Sequence, residues 1–175
     1  VLKSVFNSDP NLVYSVSCTT RPPREGERNG IEYHFLTKEQ FEQNIKDGKM
    51  LEFAEYCNNY YGTNAEYVEN QRNEGRDVVL EIEVQGALQV MKKCPDAISI
   101  FIAPPSFETL KQRLIGRGTE SEEIISARIS KANEELSYIN EYEYKVVNDK
   151  LEDACDDINA ILRANRVKKL NLNIF

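Results

Sequence analysis

Three short apolar runs separated by helical segments constrain this chain most. They are Asp77 to Val84, in which Val78-Val-Leu80 leads into Glu81-Ile-Glu83, then Ile98 to Ala103, then Tyr144 to Val147. A continuous apolar run of this length fits a strand buried on both faces of a parallel sheet. The intervening segments read as helices. Gly86 to Lys93 is one, and Ser106 caps another that reaches about Ile115. Gly116-Arg-Gly118 breaks that helix, and Ser121 caps a long one to about Tyr138. Leu151 to Arg166 is the last, with basic residues at its end that suit the helix dipole. Strands alternating with helices imply right-handed crossovers and a parallel sheet, an α/β core with helices on both faces. Ligands on such sheets sit at the carboxyl ends of the strands. Here those ends are Ser17, Glu81 to Glu83, Pro104 and Asn148-Asp149.

The first 75 residues have a different grain. Val1 to Phe6 reads as the tail of a helix, stopped by Asn7-Ser-Asp-Pro10, and Leu12 to Val16 as a short strand. Asn29-Gly30 predicts a hairpin-type turn, after which Ile31, Tyr33 and Phe35 alternate as a strand. Thr37 and Gln40 form a capping box for a helix to about Asp47, ended by Gly48. Met50 to Tyr56 is a strand with Glu52 in its middle. Asn58 to Gly62 reads as a turn, and Ala65 to Asn73 as a helix closed near Gly75. Residues 17–75 are therefore expected to form a small α+β insertion in a core made of 1–16 and 76–175.

Composition excludes several classes. With a formal charge of −7, the chain lacks the broad basic face that a general nucleic-acid or anionic-membrane binder needs. An anionic ligand must be held by a local cluster. The four cysteines, Cys18, Cys57, Cys94 and Cys155, show no C-x-x-C spacing and read as free thiols of a reducing compartment. There is no apolar run of membrane-spanning length and no signal-peptide pattern, so a cytoplasmic location is expected.

Three constellations carry chemistry. In the first, Arg21-Pro-Pro-Arg24 places two arginines three apart. Residues before proline are pushed into extended conformations, and polyproline II turns once in three residues. The two guanidinium forks should leave the backbone on one side, roughly 9 Å apart. That suits an anion with several oxygens, phosphate above all. Ser17, Thr19, Thr20 and Tyr33 add hydroxyl donors. The other reading pairs the arginines with Glu25 and Glu27 on the surface. The second constellation is Glu52, Glu81 and Glu83. Glu81 and Glu83 are expected to end a buried strand and share a face. They could meet Mg²⁺ through water, accept N–H groups of a base, or pair with structural arginines. The third is Arg113-Leu-Ile-Gly-Arg117-Gly, followed by Arg128. It reads either as a mobile loop closing arginines on a phosphoryl group or as a helix end with a solvated arginine.

In order, these segments resemble guanylate kinases: Ser-Val-Ser-Cys-Thr-Thr-Arg-Pro-Pro-Arg24, Asn59-Tyr-Tyr-Gly-Thr63, Leu-Glu-Ile-Glu-Val-Gln-Gly86, Ile-Ala-Pro-Pro-Ser106, Gly-Arg-Gly-Thr-Glu120 and Val-Val-Asn-Asp149. The resemblance runs from Val1 to about Arg166. It implies a phosphate-loop-kinase-like parallel core, a GMP-binding insertion at 17–75 and a lid at about 116–127. It implies phosphoryl transfer from ATP, with Mg²⁺, to GMP. Ser17, Arg21, Arg24, Tyr33 and Tyr61 correspond to the GMP-phosphate cradle, and Glu52, Thr63 and Glu81 to the guanine-reading set. Arg113, Arg117 and Arg128 correspond to lid arginines meeting the ATP phosphates, with Arg21, Arg117 and Arg128 catalytic. Asn148 corresponds to the residue near the ATP base. No direct metal ligand is implied; Glu81 and Glu83 would act through water.

GMP and ATP are the expected partners, without nucleic acid or membrane, for a monomer or homodimer. Thr63 stands where the family often has serine, and Glu81 where some members have aspartate. The family's glycine-rich phosphate loop and first core strand have no counterpart here. They are expected before Val1, so these residues are expected to bind GMP better than they catalyse. Guanylate-kinase-like scaffold domains that bind protein partners without ATP chemistry are the alternative. Adenylate- or thymidylate-type kinases are disfavoured by the guanine-reading carboxylates.

Overall fold

Phe41 is the side chain around which the better-packed half of the chain closes, and a helix cap delivers it. The computed structural model describes residues 1–56, 58–115 and 122–170. In it the Thr37–Gln40 capping box forms as the sequence predicts. The Gln40 N–H donates to Thr37 Oγ1 at 3.2 Å and the Thr37 N–H to Gln40 Oε1 at 2.9 Å. The helix it starts, α2 (Lys38–Lys46), ends where Gly48 takes φ +69°. Phe41, fully buried, packs with Cys18 and Met50, covered by Leu36, Ile45, Phe53 and Tyr60.

The chain divides into two compact units, Asp9–Ala97 and Val1–Ser8 with Ile98–Phe175. In the first unit, β1 (Leu12–Tyr14) pairs in parallel with β6 (Asp77–Val79). A separate four-stranded sheet runs in the order β3 (His34–Phe35), β2 (Cys18–Thr19), β5 (Asn59–Asn64), β4 (Met50–Tyr56). The helices α3 (Ala65–Asn73) and α4 (Val84–Lys93) complete the unit.

Three local expectations are corrected. The segment after Asn29-Gly30 makes no hairpin. Only His34–Phe35 is strand, and it lies parallel to β2, Cys18 opposite His34. The Asn29 side chain accepts the Phe35 N–H at 2.9 Å and holds a loop where a hairpin ladder would run. Secondly, Asn59–Asn64 is a strand, antiparallel to β4, and the reversal narrows to the residues around Asn58 at φ 60°. Its tyrosines and Thr63 favour a pleated surface, and Tyr60 stacks on Phe41 with centroids 5.3 Å apart. Gly62 fits inside because a Cβ there would come within 2.6 Å of the Glu52 carbonyl oxygen and 2.7 Å of Met50 Cε. Thirdly, β6 stops at Val79, because its three-residue partner β1 ends at Tyr14 and the Ser15 N–H makes the last bond to the Val79 carbonyl. Glu81 and Glu83 therefore end no buried strand. Both are exposed, and Glu83 is the residue before α4, which starts two residues ahead of Gly86.

The other unit holds α1 (Leu2–Ser8), β7 (Ile100–Ala103), α5 (Phe107–Ile115), α6 (Glu122–Leu136), β8 (Tyr144–Val147) and α7 (Leu151–Leu170). The strands β7 and β8 pair in parallel, Ile100 opposite Tyr144 through Ala103 opposite Val147. Ser106 caps α5, its Oγ accepting the Thr109 N–H at 3.1 Å. Helix α1 packs on α7, where Val5, Ala154, Cys155 and Ile158 are buried.

Phe41→Ala is expected to cost about 3–5 kcal/mol in urea unfolding, the range for removing a fully packed aromatic ring. Phe107→Ala, at a position 43% exposed, should stay within about 0.5 kcal/mol of the parent. Comparable losses would contradict the placing of the core.

Candidate active site

Glu52 lies on β4 directly opposite Thr63 on β5, and this register sets a buried carboxylate against a buried hydroxyl. Glu52 is 3% exposed and Thr63 fully buried. The Thr63 hydroxyl donates to Glu52 Oε1 at 2.6 Å. Burial pushes the Glu52 carboxyl above its usual range; the Thr63 hydrogen bond and the Lys93 charge pull the other way. Its Oε2 accepts no hydrogen bond among the described residues and faces Gly86 of α4, where an added Cβ would overlap it. An ionised carboxylate accepts about four hydrogen bonds. The pair is thus an acceptor-rich edge whose capacity for donors is not filled among the described residues. The single Thr63 proton is committed to Glu52. The neighbouring Cys18 thiol is pushed up to about 11, by burial first and then by the Glu52 charge, so it stays protonated.

Two residues along β5, on the same face as Thr63, Tyr61 meets the arginine loop. Tyr61 and Tyr33 pack edge to face at 6.0 Å. The Arg21 guanidinium lies 5.4 Å from the Tyr33 ring centre and 5.9 Å from that of Phe35. Its fork grips Glu27, with both N···O distances 2.9 Å, and a further N–H donates to the Pro22 carbonyl at 2.8 Å. Glu27 also accepts the Arg24 backbone N–H at 2.7 Å. These bonds, Arg21 first, hold its carboxyl below the usual carboxylate range. Of the two surface pairings considered from sequence, Glu27 takes part and carries Arg21. The side chains of Arg24 and Ser17 make no hydrogen bond or ion pair among the described residues. Burial raises the Tyr33 phenol, on which Tyr61, Arg21, Glu27 and Glu81 also act. Arg21, Tyr33 and Tyr61 therefore share one neighbourhood, with Glu81 at its margin.

Glu81 takes a long hydrogen bond, 3.4 Å, from the Tyr14 hydroxyl, whose pKa rises to about 12 through burial and then the Glu81 charge. Among the described residues no three His, Cys, Asp or Glu side chains gather as a metal site. Exposed carboxylates at Glu81 and Glu83 fit a cation that arrives on a phosphate chain and keeps its waters, rather than one caged by the protein.

In the other unit, Arg113 of α5 donates to the carbonyls of Asn148 at 2.8 Å and Asp149 at 3.4 Å, fixing the turn after β8. The Asn148 N–H extends the ladder to Ala103 at 2.8 Å. Arg128 is half-buried on α6. Arg117 and the first half of the expected lid, 116–121, lie outside the described residues.

Sequence reasoning missed Phe35 as a second ring against Arg21; its alternation with Tyr33 was the available signal. It also missed Ser15, 2% exposed, whose hydroxyl has no partner among the described residues. No spacing marked that one.

The sequence profile of a family described as guanylate kinase matches residues 1–165. A guanylate kinase of Lactococcus lactis is 50% identical over 168 residues, covering 96% of this chain and 82% of that protein. One from Bacillus subtilis is 49% identical over 170 residues, covering 97% and 83%. The crystal structure of guanylate kinase from Anaplasma phagocytophilum superposes with a TM-score of 0.79 at 35% identity, covering 93% of this chain and 79% of that one.

The raised Glu52 pKa has a signed consequence. In the unfolded chain a glutamate titrates near 4.3. Above that pH the folded state holds the extra proton, so stability falls as pH rises until the folded group has also ionised. Glu52→Gln removes this effect. Its melting temperature should gain on the parent between pH 4 and pH 7; a gap that stays constant with pH would contradict the assignment.

Proposed function

The chain belongs to the guanylate kinase family, and from that premise we propose how its residues serve the family's reaction. That reaction transfers the γ-phosphoryl group of ATP to the phosphate of GMP, giving ADP and GDP. The observation that carries the assignment is the buried Glu52–Thr63 pair. Guanine offers N1–H and N2–H donors, which the two Glu52 oxygens accept. Adenine presents an acceptor at N1 and would leave a buried carboxylate unpaired, a costly mismatch. Once guanine donors satisfy Glu52, the Thr63 proton is released to turn toward guanine O6. Glu81 closes the base side.

The phosphate of GMP lies against Arg21, Arg24, Ser17, Tyr33 and Tyr61. Glu27 and Pro22 hold three N–H groups of Arg21, so the remaining donors of its guanidinium face the anion together with the unpaired Arg24 fork. The insertion at 17–75 is then the GMP-binding part. Arg113, Arg117 and Asn148 serve ATP, and the lid at about 116–127 brings Arg117 in with Arg128. Catalysis is positioning and neutralisation of charge by Arg21, Arg117 and Arg128, with no covalent step on the protein. The family's reaction takes a divalent cation with ATP; we assign Mg²⁺, which screens charge on the phosphates, and give Glu81 and Glu83 its water shell. Free GMP and ATP as substrates suit a cytoplasmic enzyme, monomeric or homodimeric. A protein-binding module without ATP chemistry is the weaker reading, since relatives at about half identity carry the enzyme's name.

Arg21→Ala and Arg24→Ala should each weaken GMP binding by roughly 10- to 150-fold, the loss of a charge-assisted hydrogen-bonding group. Binding of guanosine, which has no phosphate, should be unchanged by calorimetry. Equal losses for both ligands would contradict the cradle.

A further inference from the structure

Helix α4 lies along the free edge of β4, and what it touches there brackets Glu52. β4 is an edge strand of its sheet, and its pairing with β5 slips between Met50 and Glu52, leaving Leu51 without a cross-strand partner. Exposed strand edges with unpaired backbone groups are normally covered or blunted. Here three residues of one helical face do the covering. Gly86, Gln89 and Lys93 are spaced three and four apart, so they form one stripe on α4. Gln89 Nε2 donates to the Phe53 carbonyl at 2.6 Å, and its Oε1 accepts the Phe53 N–H at 3.3 Å, as a paired strand would. Lys93 Nζ donates to the Leu51 carbonyl at 2.5 Å. The backbone is therefore held on either side of Glu52. The third member of the stripe has no side chain, and the Glu52 carboxylate fills the space that one would occupy. The Lys93 ammonium also favours the ionised form of Glu52.

Covering an edge strand requires neither a glycine nor contact with the one buried carboxylate in the strand. We propose that the Gly86–Gln89–Lys93 face of α4 is a clasp that sets the position of Glu52, and that these are positioning residues for the choice of base. Gln89 and Lys93 fix the height of the strand against the helix. Gly86 fixes how far the carboxylate projects past it. The inference rests on the reading that Glu52 takes the guanine donors. It adds that selectivity depends on residues that themselves touch no nucleotide.

The experiment compares equilibrium binding of GMP and IMP, which differ only by the exocyclic amino group. Gly86→Ala displaces the carboxylate. Gln89→Met keeps the volume but removes both hydrogen bonds, and serves if the first variant fails to fold. Melting curves certify each protein as folded. The expected result is a roughly tenfold fall in the GMP-to-IMP affinity ratio, the scale of one misplaced hydrogen bond to a charged group. A merely structural clasp would weaken both ligands alike and leave the ratio at the parent value; that outcome overturns the proposal. Glu52→Gln in the same assay separates the two layers. If its ratio stays at the parent value, the base reading itself fails. If it loses the ratio while both folded α4 variants keep it, only the clasp fails.

Discussion

A carboxylate buried opposite a buried hydroxyl is the interaction on which the rest of this structure depends. Removing an ionisable group from water disfavours its charged form unless hydrogen bonds or opposite charge restore it. Glu52 has one neutral donor, Thr63, and a cation in Lys93, and its carboxyl still titrates above its usual range. The fold tolerates this cost because the strand bearing Glu52 is held from both sides. β5 sets the register that puts Thr63 opposite, and α4 grips the other edge. Gly86 on the helix leaves the space that the Glu52 carboxylate fills, while Gly62, on the other face of β5 from Thr63, makes room for Met50 and Phe41.

The arginine loop, proposed to take the phosphate, follows a different logic. An arginine fork left without partners would sample many orientations, and fixing a long side chain on binding carries an entropy cost. Glu27 orders Arg21 in advance with a bidentate bond, while the rings of Tyr33 and Phe35 border the guanidinium. Arg24, whose side chain is unpaired among the described residues, supplies the charge that the ordered neighbour lacks. One cation is prepared and one is available, which suits the phosphate dianion proposed for this site. In the other unit, Arg113 spends hydrogen bonds on the carbonyls after β8, so part of its role is to hold the turn that contains Asn148.

Much of this was legible in the sequence, for identifiable reasons. The capping box at Thr37 and Gln40 is a local signal and formed as read. The parallel pair β7 and β8 came from apolar runs whose character does not depend on partners. The failures were non-local. Asn58 to Gly62 carries turn residues, yet Tyr60 found a stacking partner in Phe41, 19 positions earlier, and the segment became a strand. Asn29-Gly30 did turn the chain, but the strand after it joined β2 in parallel, a pairing no short-range pattern encodes. Glu81 and Glu83 were read as a buried strand end because the apolar run continued through Ile82; the short partner strand ended the ladder first. The candidate site residues were drawn from ordered motifs. That Thr63 would spend its proton on Glu52, and that Glu27 rather than Glu25 would take the Arg21 fork, required coordinates.

The most direct test of the central claim is the ratio of GMP to AMP affinity in the parent chain and in Glu52→Gln. An amide offers one donor and one acceptor where the carboxylate offers acceptors alone. It can give a proton to adenine N1 and accept one from the adenine amino group. The account predicts that the parent strongly favours GMP and that the variant loses most of this preference, gaining AMP affinity as GMP affinity falls. A variant that discriminates as sharply as the parent would show that the base is read elsewhere.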